Sequence, residues 1–300
     1  MTKRPAIRKS AVAAAVSVAL MLPGAAVTMA APPTAAAAAC GTPLSADELN
    51  AIARLSDTSD IAEDSLARLR TGVARLHEIT GILADHRDRR GLFGIGLDAV
   101  EQAAVMPLQE DPSAFQDREY AHRISLDLLN RYLDNLHAEF TGGAVAPQWA
   151  RYFDLAAQCD TSGARATMEG YAAHLVVDLP YTAAAVGTTP GNAPDYFKIV
   201  AAIANAGDRI IERTKTVYGA DIGPLWRFYG VGASLDLLAG EGVATRPLLV
   251  CADLGANVVI LGNGLALQNP ALHDATAAEI WAMFDTTGTA FAALAQARAL

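Results

Sequence analysis

His174 and Asp178 stand four residues apart in the run Gly170-Tyr171-Ala172-Ala173-His174-Leu175-Val176-Val177-Asp178-Leu179-Pro180. On an α-helix that spacing puts an imidazole and a carboxylate on one face, one turn apart. Thr167, Tyr171 and Tyr181 fall on or near the same face, while Leu175, Val176 and Leu179 surround it. A polar stripe therefore cuts into an apolar helix, and burying it costs free energy unless both groups find partners. Three chemistries fit the pair. It could supply two ligands to a zinc ion, the third coming from another helix. It could do general acid–base work. It could also close on itself as a His174–Asp178 hydrogen bond that fixes helix packing.

A second candidate is His86-Arg87-Asp88-Arg89-Arg90. There Arg89 or Arg90 could fork onto a phosphate or carboxylate while Asp88 orients it. The same residues also suit a solvated corner between helices with Asp88 as a cap. His122 and His137 share one long helical segment, but fifteen residues at about 1.5 Å each separate them by more than ~20 Å. At most one can join a metal site, and His122 is taken as the candidate. His77 and His273 read as surface or cap residues. Gly-x-Ser-x-Gly, a phosphate loop, His-Glu-x-x-His and Cys-x-x-Cys are absent, so covalent serine hydrolysis and nucleotide binding have no support.

The elements that must position these residues are helical. Ser45 with Glu48, and Thr276 with Glu279, form capping boxes ahead of a first and a last helix. Helical spacing links Leu66, Leu69, Val73, Leu76 and Leu83, then Phe93, Leu97 and Val100, then Ile124, Leu128, Leu129, Tyr132, Leu136 and Phe140. Pro147 opens a helix reaching Cys159, and Pro194 opens another running to Tyr218 before Gly219. Leu248 to Leu267 is nearly all apolar and is expected to be a buried central helix, with a pair of buried strands or a membrane segment as alternatives. The fold class is all-α: one domain, residues 40–300, of about eight to ten helices.

Residues 1–39 read as a secretory leader and its processing region. Lys3, Arg4, Arg8 and Lys9 precede an apolar run from Ala11 to Leu22 that is too short to span a bilayer comfortably. Cleavage is expected after Ala30 or within Ala35 to Ala39, with lipidation of Cys40 as the other route. Without the leader, 19 Lys and Arg face 32 Asp and Glu, a charge of −13. Nucleic acid is an improbable partner at that charge. Cys40, Cys159 and Cys251 in an oxidising compartment suggest one disulfide, with the pairing open.

Asp88-Arg89-Arg90, Arg131-Tyr132, Pro147-Gln148-Trp149 and Ala173-His174-Leu175-x-x-Asp178-Leu179-Pro180 together resemble the bacterial family catalogued as domain of unknown function 5995, over roughly residues 85–218. Its members carry Asn where this chain has Ala172. The resemblance implies no particular reaction. The His-x-x-x-Asp element is also similar to that of zinc-dependent phospholipase C and related single-strand nucleases, which implies His174 and Asp178 as metal ligands. Two functions follow as expectations. One is a metal-assisted hydrolase of a phosphoester or lipid, with His174, Asp178 and His122 as ligands and Arg89 or Arg90 stabilising developing charge. The other is a non-enzymatic binding or structural protein of the cell envelope, with a buried His174–Asp178 pair and a small molecule or lipid as ligand.

Overall fold

The structure is a computed structural model that describes residues 39–59, 64–223 and 245–297, and for 245–254 the backbone alone. All of these residues belong to one compact unit, Ala35–Leu300. Of the leader and processing region expected over residues 1–39, all but Ala39 lies outside them, as does the side chain of Cys251.

Twelve α-helical segments are named in chain order: α1 Ala46–Ser56, α2 Ser65–Asp85, α3 Leu92–Val100, α4 Met106–Glu110, α5 Arg118–Thr141, α6 Pro147–Ala157, α7 Gly163–Ala172, α8 Leu179–Ala185, α9 Ala193–Asn205, α10 Gly207–Tyr218, α11 Thr245–Leu267 and α12 His273–Gln296. A π-turn, Glu101–Val105, joins α3 to α4, and a second, Ala173–Asp178, joins α7 to α8. Counting those joined pairs once leaves ten continuous helices among the described residues. The all-α expectation holds.

Both π-turns have a cause in the sequence. Pro107 and Pro180 each sit two residues beyond the turn, in the first positions of α4 and α8. Proline inside a helix lacks an N–H and collides with the carbonyl four residues back. One wider turn ahead of it lets the chain restart a helix with proline at a tolerated N-terminal position.

Helix α5 lies against α2, with α1 packed on both, and α3 packs on α10. Leu69, Leu76, Leu83, Phe93, Leu129, Tyr132, Trp149 and Tyr152 are fully or almost fully buried in the main core. The first capping box forms as expected: Ser45 accepts from Glu48 N, and Glu48 accepts from Ser45 N at 2.7 Å. Gly142 and Gly219 end α5 and α10 in the left-handed conformation that glycine adopts without steric cost.

Several expectations need correction. The last helix begins at His273, so Thr276 lies inside it, buried, and caps nothing. The helix opened by Pro194 breaks at Ala206 into α9 and α10. Helix α11 covers the apolar run, but it is not buried all round. Asn257, Ile260, Leu261 and Leu267 face the core, while Val258 and Val259 are 59% and 44% exposed. None of the described helices is long and apolar enough to cross a membrane.

Cys40 and Cys159 form the disulfide, with Cα atoms 5.2 Å apart, tying the chain ahead of α1 to the residues after α6.

Candidate functional site

The second π-turn carries both His174 and Asp178, and both are buried, 5% and 2% exposed. They do not pair with each other. Asp178 turns to the first turn of α6, where Gln148 Nε2 donates to Oδ1 at 2.8 Å and Trp149 Nε1 donates to Oδ2 at 2.7 Å. Burial lifts the carboxyl to about 6, against those two donors, which lower it. The His174 ring instead stacks among aromatics, 5.0 Å from Phe93 and 6.4 Å from Trp149. Its Nδ1 has no hydrogen-bond partner among the described residues. Burial alone drives its pKa down to about 3, so the ring is neutral at physiological pH.

Phe93 is the hub of this region. Tyr132, Trp149, Tyr171 and His174 surround it at 4.9, 5.1, 5.0 and 5.0 Å, mostly edge-on. Three glycines make the approach feasible: Gly91, Gly94 and Gly96 face the hydroxyls of Tyr218, Tyr132 and Tyr171, and a Cβ at any of them would collide with that oxygen. None of the three hydroxyls has a partner among the described residues, and burial pushes all three phenols up. Sequence reasoning took this segment as a simple Phe93, Leu97, Val100 stripe. The signal available was the glycine spacing, three within six residues directly after the Arg89-Arg90 corner.

The Asp88-Arg89-Arg90 element is elsewhere; Asp88 and Arg90 satisfy each other, while Arg89 Nε and Nη2 have no partner among the described residues. Arg90 grips Asp88 with Nε to Oδ1 at 2.9 Å and Nη2 to Oδ2 at 2.5 Å. Both side chains are almost wholly buried. The guanidinium also lies over the Phe140 ring at 4.1 Å. Asp88 caps the 3₁₀ turn Arg89–Gly91 through Arg90 N, so the capping expectation holds; Asp88 and Arg90 are buried, while Arg87 is exposed and His86 and Arg89 are half-buried. Arg89 points to the disulfide region and donates to the Gln158 carbonyl at 2.9 Å. Neither arginine is placed at His174.

His122 is also apart. It sits on α5 with Nε2 3.2 Å from the Gln109 carbonyl. The three side chains expected as a metal set are thus dispersed, and among the described residues no group of three or more His, Cys, Asp or Glu comes together to hold an ion. Asp178 accepts one hydrogen bond on each oxygen, from Gln148 and Trp149, His174 lies in an aromatic wall, and no third ligand joins them among the described residues. His77, expected to stand alone, has Asp98 2.9 Å from its Nδ1. His137 bonds the Ala53 carbonyl.

A cleft of about 210 Å³ opens between α6 and α7, lined by Arg151, Asp154, Leu155, Gln158, Arg165 and Glu169. Arg151 lies 2.8 Å from Glu169 Oε1, an ion pair outside hydrogen-bonding angles, and 2.7 Å from Asp285. The Glu169 side chain is fully buried and its Oε2 has no partner among the described residues. Burial raises its pKa, while Arg151 and Arg165 oppose the rise.

Fold and site together define an all-α protein whose polar centre is built into its core. The family described as "Family of unknown function (DUF5995)" matches residues 70–236, and the chain belongs to it. No curated protein and no solved structure matches the chain. Two of the segments that carried the resemblance, Pro147-Gln148-Trp149 and His174-x-x-x-Asp178, meet in the structure through the two hydrogen bonds to Asp178.

Proposed function

We propose that this chain is an exported, non-enzymatic domain that acts by binding, with His174 and Asp178 serving the fold rather than a reaction. The observation that carries this is the pairing of Asp178 with Gln148 and Trp149. A carboxylate that accepts one buried N–H on each oxygen is positioned as a fastener between α6 and the α7–α8 helix, and neither His174 nor His122 joins it. A His174 imidazole with its pKa near 3 is also a weak base at neutral pH. Export is supported by the leader-like N-terminus and by the Cys40–Cys159 bond, since disulfides persist in oxidising compartments. The α6–α7 cleft, lined by Arg151, Asp154, Gln158 and Arg165, supports a small polar molecule as the ligand.

Metal analysis of the purified chain tests the reading. We expect well under one equivalent of zinc or manganese and a melting temperature unmoved by a chelator. About one equivalent of either metal, lost in His174→Ala, would sink the proposal in favour of a metal-assisted hydrolase.

A further inference from the structure

We infer that a signal peptidase cuts this chain between Ala38 and Ala39, and that the α-ammonium created at Ala39 docks on the buried carboxylate of Asp88. The inference rests on the export reading above.

Ala39 is buried, and its backbone nitrogen donates to Asp88 Oδ2 at 3.3 Å. Its position is held from several sides. Arg89 N donates to the Ala39 carbonyl at 2.8 Å, Thr42 N donates to the His86 carbonyl at 2.9 Å, and the intervening Cys40 is bonded to Cys159. Gly41 between them passes so close to the His86 and Arg87 backbone that a Cβ would collide. The chain therefore delivers the Ala39 nitrogen to one fixed place.

That place lacks one positive charge. Asp88 is fully buried and shares Arg90 with Glu139, whose Oε1 lies 3.8 Å from Arg90 Nη1. Two carboxylates thus face one guanidinium. Burial raises the Glu139 pKa, which is how an uncompensated acid behaves. An ammonium at Ala39 adds a second positive charge beside Asp88, which with Glu139 shares Arg90. It also turns a single long amide contact into a charge-assisted one, for which ~2.8 Å is usual.

The leader supplies the matching cut. Ala36 and Ala38 occupy the −3 and −1 positions of a small-residue box. Water adds to the Ala38 carbonyl, the Ala38–Ala39 amide bond breaks, Ala38 leaves as a carboxylate on the leader, and the Ala39 nitrogen takes up protons as the ammonium. A cut after Ala30 or Ala35 would present a neutral amide to Asp88. A cut after Ala39 would remove the group altogether.

The test is to express the full chain with its own leader in an exporting bacterium and to read the N-terminus of the exported protein by intact mass and sequencing. Ala39 is the expected first residue. The native α-amine should then react with an acylating reagent at pH 7 about tenfold more slowly than in the unfolded chain, the equivalent of about one pKa unit. Asp88→Asn should remove that protection. Because Asp88→Asn also loses the Arg90 pair and could fail to fold, a chain with Gly-Ser placed ahead of Ala39 gives a second reading, expected to melt several degrees lower. Export with a different first residue overturns the inference and leaves the export reading standing. A chain that keeps Met1 overturns both. A first residue at Ala39 whose amine labels freely overturns the docking.

Discussion

The two π-turns bury acids to a similar degree and treat them differently. In Glu101–Val105, Glu101 has Oε2 without a partner among the described residues, and burial, with Asp98 adding repulsion, lifts its pKa to about 8. In Ala173–Asp178, Asp178 is as deeply buried but holds two N–H donors, and its pKa rises only to about 6. Burial disfavours each carboxylate, and donors decide how much of that penalty is offset. The first turn therefore holds an acid that is neutral at pH 7, and the second an acid that is ionised there and fastens two helices.

That contrast can be broken most forcefully at Glu101. A folded pKa of about 8 against an ordinary 4.5 means that the folded state holds its proton more tightly than the unfolded state. The stability linked to this group is complete below pH 4.5 and is lost as pH rises through 8. Across that window the loss is on the order of 4 kcal/mol at ~1.4 kcal/mol per pKa unit. Glu139 and Glu169 shift in the same direction, so the difference between the parent and Glu101→Gln isolates Glu101. Urea denaturation at pH 5 and pH 8 should show Glu101→Gln close to the parent at the lower pH and more stable at the higher one. Equal stabilities at pH 8 would mean that Glu101 is not the buried acid described here.

At the other turn the Asp178 pKa is raised as well, but removing the side chain destabilises. Asp178→Ala strands the donors of Gln148 and Trp149 and should cost about 3 kcal/mol at pH 7, since each unpaired buried group costs ~1–3 kcal/mol. A loss below about 1 kcal/mol in the same denaturation experiment would refute its fastening role. Trp149→Phe removes one donor only. It should cost about 2 kcal/mol and raise the Asp178 pKa above 6, visible by NMR titration of the carboxyl carbon; an unchanged titration would leave the indole bond without energetic weight. The smallest effect is expected at His174. With Nδ1 unpartnered and the ring against Phe93 and Trp149, His174→Phe should change stability at pH 7 by less than about 1 kcal/mol. It should also remove the loss of stability that the parent's His174 contributes as pH falls from 6.5 towards 3, because the folded site resists protonation. A large loss at neutral pH would show that His174 holds a partner after all.

The helices were legible because apolar spacing and caps are local: Ser45 with Glu48, Pro147 and Gly219 each act within one turn of themselves. His174 and Asp178 were legible too, as polar groups within an apolar run, and both are buried. Their relationship was not. Four-residue spacing suggested that they would meet, yet what a buried side chain touches depends on the neighbouring helix, and α6 brought Gln148 and Trp149 to Asp178 while Phe93 took His174. The Asp88-Arg89-Arg90 corner shows the same limit, since only the fold reveals that Ala39, 49 residues away, lies against Asp88. By itself the sequence of this protein determined an all-α chain with its charge and a polar stripe in an apolar helix, because those follow from composition and short-range periodicity. Which acid is neutral, which cysteines pair and which candidate residues remain apart were decided only by the tertiary structure, because burial and hydrogen-bond partners are set by residues distant in the chain.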